Sequence, residues 1–97
     1  MARKIIWSIR AREDRKAIFT YWNDRNKSNF YSKKLNRLFN HTISFLSEHP
    51  QIGRKTILEN IHVKVVREYL IIYEITDSEI IIHTIWDGRR DSSGLGI

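Results

Sequence analysis

The chain contains no cysteine. That excludes a disulfide framework and a Cys-ligated zinc site, and it is compatible with a reducing compartment. Apolar runs are short, and none approaches the roughly 20 residues of a membrane-spanning helix. The opening MARKIIWSIRARED lacks the uninterrupted apolar core of a secretion signal. No Walker loop, dinucleotide fingerprint, HExxH helix or nucleophile elbow is present. These absences point to a soluble cytoplasmic protein with no membrane partner and no bound metal or cofactor. Acidic residues are also scarce: 11 against 17 lysines and arginines, for a net charge of +6. In a chain of 97 residues, long enough for one modest core, that excess favours a polyanionic partner: nucleic acid, a ribosome or an acidic protein segment. The competing reading is a basic surface that serves solubility alone.

What is present is concentrated in Ile61 to Asp91. β-Branched and aromatic runs are separated by short polar breaks at Arg67-Glu68 and Thr76-Asp77-Ser78-Glu79. They predict three strands, Ile61 to Val66, Tyr69 to Ile75 and Ile80 to Trp86. Connections this short favour an antiparallel meander. Ile61, Val63 and Val65 alternate with His62 and Lys64. The middle strand is apolar through most of its length, as in a strand covered on both faces. In the last strand Ile80, Ile82, Thr84 and Trp86 are expected on one face, and Ile81, His83 and Ile85 on the other.

Upstream, Lys4 to Ile9 reads as a short strand. Ser8 is placed to cap a helix from about Ile9 to Asn26, whose first turns hold Glu13 and Asp14. Ala11, Ala17, Ile18, Tyr21 and Trp22 form its apolar side. Asn26-Lys27-Ser28 breaks the pattern, and Ser28 is the expected cap of a second helix, about Asn29 to Glu48. Tyr31, Leu35, Leu38, Thr42, Phe45 and Leu46 make its stripe, widened by Phe39 and Ile43. His49-Pro50-Gln51-Ile52-Gly53 stops it. Arg54 to Asn60 reads as an exposed connection, and Ser92 to Ile97 as a mobile tail. The expected fold is a single α+β domain over residues 1–97: an N-terminal strand, a two-helix antiparallel hairpin and a three-stranded antiparallel meander. The helices cover one face of a sheet of about four strands. The other face is left partly open, with Arg67, Arg89 and Arg90 at its borders.

Arg54, Lys55, Lys64, Arg67, Arg89 and Arg90 all follow the helical hairpin. Arginines hold phosphate bidentately and stabilise charge on a transferring phosphoryl group; a solvated rim is the plain alternative. His62 and His83 are both expected on the open sheet face, where either is a candidate general base. A strand histidine packed for structural reasons is the competing reading. His41 and His49 read as structural or solvated. Trp7, Tyr69, Tyr73 and Trp86 suit stacking on bases or, more simply, core packing.

Four segments, in order, carry a family resemblance: IIWSIRAREDRKAIFTYW, LSEHPQIGRK, REYLIIYEI and IIIHTIWDGRRD. Together they resemble the RelE/ParE superfamily of bacterial toxins from type II toxin–antitoxin systems. The resemblance implies a helical hairpin on an antiparallel sheet, and a cytoplasmic, growth-arresting toxin wrapped and neutralised by a cognate antitoxin. It leaves two targets open. RelE-like members cut mRNA in the ribosomal A site without a metal; ParE-like members poison DNA gyrase and have no nuclease activity. On the ribonuclease reading Arg67, Arg89, Arg90 and His83 are the candidate catalytic residues, and Arg54, Lys55 and Lys64 hold RNA phosphate. His62 or Glu68 would be a substitute base. RelE-like toxins commonly place an arginine where Leu70 stands here, and often a Tyr or His after the last strand, where the stretch from Gly88 has neither. Arg54, Lys55, Arg89 and Arg90 match the family's basic residues in type, and Arg67 lies close to a family arginine but out of register. Leu70 and the closing GRRD look more like the ParE side. A non-toxic nucleic-acid-binding or interaction module on the same fold is the alternative outside the toxin class.

Overall fold

The computed structural model of the chain describes residues 2–90 and Leu95. Apart from Leu95, the expected tail Ser92 to Ile97 lies outside the described residues, as does Asp91. The elements are β1 (Lys4–Trp7), α1 (Ile9–Asn26), α2 (Phe30–Glu48), a 3₁₀ turn (Pro50–Ile52), β2 (Arg54–Lys55), β3 (Ile61–Val66), β4 (Tyr69–Ile75) and β5 (Glu79–Asp87). The strands form one five-stranded sheet in the order β1-β5-β4-β3-β2. β1 runs parallel to β5, and every other pairing is antiparallel.

The helix boundaries follow local chemistry. Ser8 is extended and its Oγ accepts from the Ala11 N–H at 2.9 Å, meeting one of the donors a helix start leaves free. The same hydroxyl donates to the His83 carbonyl at 2.9 Å, which fixes the start of α1 to β5. Among the described residues, the edge of β5 beyond Trp7 has no strand beside it. Asp14 of α1 takes that place, its carboxylate accepting from the Ile85 N–H at 3.1 Å and from the Thr84 hydroxyl. α1 ends at Lys27, which adopts a left-handed conformation (φ 52°) and returns its N–H to Asn23. Asn29, not Ser28, occupies the cap position of α2, while the Ser28 hydroxyl accepts from the Phe30 N–H at 3.1 Å.

The helices cover one face of the sheet. Leu35, Phe39, Ile43 and Leu46 meet Tyr69, Ile71, Tyr73, Ile75, Ile80, Ile82 and Ile85 in one core. The line of α2 that lies deepest is Ser32, Leu35, Phe39, Ile43 and Leu46. It is rotated from the expected stripe: Phe45 is exposed, and Tyr31, Leu38 and Thr42 are half-buried. The rotation puts the Phe39 ring against Phe19 (6.2 Å between centroids) and edge-on to Tyr69 (5.9 Å), a gain for large rings beyond their buried area. On α1, Phe19 joins Ile18 and Trp22 against the core, while Ala17 and Tyr21 are exposed.

Two features depart from the expected sheet. Arg54–Lys55, expected within a loop, is a fifth strand paired with Val63 and His62. Two exposed cations are too short a run to show any period. In β5 the pairing slips: Tyr73 opposes Ile82 while Ile72 opposes Thr84. His83 is the extra residue of a β-bulge, which reverses the alternation beyond it. Ile85 therefore joins Ile80 and Ile82 on the helix side, and Thr84 and Trp86 move to the opposite face.

Candidate functional site

The face away from the helices carries Ile61, Val63 and Val65 of β3, Leu70 and Ile72 of β4, and Trp86 of β5, as their cross-strand pairing requires. Over it lies a cavity of about 520 Å³, lined by Arg54, Lys55, Thr56, Ile57, Val63, Leu70, Trp86, Gly88, Arg90 and Leu95. β2 delivers Arg54 and Lys55 to one side, and the end of β5 delivers Arg90 to the other. The position of β2 depends on Tyr73. Its buried hydroxyl donates to the Pro50 carbonyl at 2.7 Å and accepts from the Gly53 N–H at 3.1 Å, just before Arg54. A Cβ at Gly53 would clash with that hydroxyl and with the Tyr73 ring, so a larger residue there would push the buried ring aside.

The Arg90 guanidinium lies 4.4 Å from the Trp86 ring centre, with Arg10 at 5.8 Å, within the reach of cation–π attraction. Trp86 itself is 7% exposed, and its indole N–H has no hydrogen-bond partner among the described residues. None of the three cations of the cavity forms an ion pair among the described residues. Among the described residues, no histidine or carboxylate lines the cavity. It is a cationic pocket with an apolar floor.

The remaining sequence candidates are placed elsewhere. Arg89 turns to Asp87, with Nε and Nη2 at 2.9 and 2.7 Å from its two oxygens. That bidentate pair holds the Asp87 carboxyl below its usual range, against an opposing effect of partial burial. Arg89 and Asp87 border a different cavity, beside Asp14, Tyr21 and Tyr69 of the helix side. Arg67 is the exposed first residue of the β3–β4 turn, held at a positive φ of 57°. Lys64 pairs with Ile71 and so points to the helix side. Glu68 accepts from the Tyr31 hydroxyl at 3.3 Å; burial first, and this neighbour second, push the Tyr31 phenol up.

The two strand histidines separate. His62, expected on the open face, pairs with Tyr73 and stacks on its ring at 5.6 Å. It is buried on the helix side with neither ring nitrogen partnered among the described residues. His83 does lie on the open face, at the bulge, with Nε2 2.8 Å from Glu74 Oε1. It borders a neighbouring cavity of about 360 Å³ with Ser8, Arg10, Ile72 and Thr84. The aromatics considered for base stacking are occupied: Tyr69, Tyr73 and Trp86 are buried, and Trp7 is half-buried beneath Arg15, 4.3 Å from its ring. Sequence reasoning missed the apolar floor, Val63, Leu70 and Trp86. The signal available was that Leu70 opposes both Val65 and Trp86 once the meander is drawn in register.

The family model described as ParE toxin of type II toxin–antitoxin system, parDE, matches residues 5–92. The chain belongs to the ParE toxin family. A solved structure described as the chromosomal ParDE TA system from P. aeruginosa is similar in fold, with a TM-score of 0.75. The likeness covers 89% of this chain and 96% of that one at 14% identity. No curated protein matches the chain. Family membership agrees with the ParE-like features of the sequence, Leu70 in β4 and the GRRD close. In this ParE-family chain Leu70 is part of the floor of the cationic cavity, the position at which a RelE-like toxin commonly carries an arginine.

Proposed function

We propose that the chain is the toxin of a type II toxin–antitoxin module that acts by binding, with DNA gyrase as its target, and that a cognate antitoxin covers the sheet face. One observation carries this reading: among the described residues, the cavity that gathers Arg54, Lys55 and Arg90 holds no histidine or carboxylate to take a proton. Cleavage of RNA by its own 2′-hydroxyl needs a base and an acid within hydrogen-bond reach of the reacting atoms. Cations over an apolar floor suit a protein surface with carboxylates beside apolar side chains. Arg54, Lys55 and Arg90 are the contact residues; Arg89, neutralised by Asp87, orders the end of β5. No helix among the described residues is long and apolar enough to cross a membrane, in keeping with a cytoplasmic site of action.

A second reading, a ribosome-dependent ribonuclease, rests on His83. Its 2.8 Å contact with Glu74 is the arrangement that orients a general base. Two assays with the purified protein separate the readings: supercoiling by gyrase, and primer extension on mRNA in programmed ribosomes. Loss of supercoiling with uncut mRNA is expected. New ends at the A-site codon, with gyrase unaffected, would transfer the function to His83 and the arginines.

A further inference from the structure

The positive excess of this chain does not belong to the sheet cavity. Between Arg15 and Ser47 the sequence holds seven lysines and arginines and a single carboxylate, Asp24; the rest of the chain holds ten of each sign. Over its full length, Ile9–Glu48, the helical hairpin holds nine lysines and arginines against four carboxylates, and so carries +5 of the net charge of +6. No residue from Arg15 to Ser47 forms an ion pair among the described residues.

A charged helix surface is ordinarily just solvated. Here the charges border a built feature. A groove of about 560 Å³ runs between the helices, with Arg12, Arg15 and Lys16 on one wall and Asn36 and Asn40 on the other. Lys33 and Arg37 lie on the same stripe of α2 as those two amides, at spacings of three and four, and both are exposed. Among the described residues no carboxylate lines the groove, and the one large apolar residue there is Phe19, already stacked on Phe39.

We propose that this outer face of the hairpin binds the phosphodiester backbone of duplex DNA. Cations flanking amide donors are the side chains that position phosphate. An acidic protein segment would bring apolar side chains, and this groove offers them no floor; the sheet cavity does. A single strand would require exposed rings for its bases, which the groove lacks. At 1.5 Å per residue, the 18 residues of α1 span about 27 Å, enough to follow roughly eight phosphates at 3.4 Å of axial rise. Binding is therefore independent of sequence. The choice of DNA over RNA rests on the gyrase reading, because that target works on duplex DNA; the binding itself is measured without gyrase.

The test is fluorescence anisotropy of the full chain with a labelled random-sequence DNA duplex from 50 to 200 mM salt. Four phosphate contacts give a log–log slope of about −3.6, a fall on the order of 100-fold over that range. Replacing Arg12, Lys16, Lys33 and Arg37 by Gln is expected to weaken binding at least tenfold at 50 mM salt and to flatten the slope. A variant with Lys4, Arg10, Lys64 and Arg67 replaced by Gln has the same net charge and is expected to bind within about threefold of the parent. If the first variant fails to fold by circular dichroism, Lys33→Gln with Arg37→Gln alone is expected to reduce the slope by about 1.8. Equal losses in the two charge-matched variants would overturn the proposal, as would tighter binding to an RNA duplex or no binding at 50 mM salt. Saturation of the groove by an acidic antitoxin segment, with no DNA bound, would overturn it too. DNA binding by a protein that leaves gyrase untouched would instead defeat the gyrase reading and leave this one standing.

Discussion

Tyr73→Phe removes one oxygen from the centre of the protein. The side chain is fully buried, and the phenol ring fills its site with or without the hydroxyl, so packing is conserved. What is lost is the partner of two backbone groups, the Gly53 N–H and the Pro50 carbonyl. Gly53 is itself buried, and a buried donor left without an acceptor costs about 1–3 kcal/mol. The half-buried carbonyl adds less. A total of about 2 kcal/mol lowers the melting temperature by roughly 8–16 °C in a domain of this size. Urea unfolding checks the free energy, and hydrogen exchange checks the location. Amides of the β2–β3 ladder, at Arg54 and Val63, are expected to exchange faster, while those of β4–β5 change only through the global term. A shift of less than about 3 °C, or unchanged exchange at β2, would refute the role given to Tyr73 in holding the basic strand at the cavity.

Three other perturbations test separate parts of the structure. Arg67→Gly relieves a non-glycine residue at positive φ and is expected to raise stability by about 0.5–1 kcal/mol in urea unfolding without weakening growth arrest. Asp14→Ala leaves the buried Ile85 N–H unpaired and is expected to cost about 2–4 kcal/mol, whereas Asp14→Asn keeps an acceptor there and should lose less than half as much. Burial raises the Tyr73 and Tyr69 phenols above their ordinary range. With the folded value above the unfolded one, near 10, their contribution is complete below about pH 10 and is lost as pH rises through the folded values. Alkaline denaturation that begins at a higher pH in Tyr73→Phe than in the parent, relative to each protein's stability at pH 8, is the expected result.

Much of the fold was legible because long elements state their period. The 18 and 19 residues of α1 and α2 and the turns of the meander fell within a residue or two of their bounds. The misreadings share a physical source: they depend on neighbours far along the chain. A single bulge residue, His83, turns Ile85 and Trp86 over, and no local pattern announces it. Arg54–Lys55 becomes a strand only because Tyr73, twenty residues on, holds the preceding glycine. Phe39 displaces Leu38 as the deepest line of α2 because the rings of Phe19 and Tyr69 are waiting for it. The same limit applied to the site. Arg54, Lys55 and Arg90 were recognisable as cations, and they do meet. Arg89 looked equivalent to Arg90 in sequence, but Asp87 two residues earlier claims it. His62 looked like an open-face base, and its pairing with Tyr73 buries it.

The most direct measurement is growth arrest after induction of the toxin without an antitoxin, compared across two sets of folded variants. If the protein acts by binding through its cationic cavity, His83→Ala and Glu68→Ala arrest growth as the parent does, while Arg54→Ala with Lys55→Ala and Arg90→Ala does not. Loss of arrest in His83→Ala, with arrest intact in the cavity variant, would contradict it.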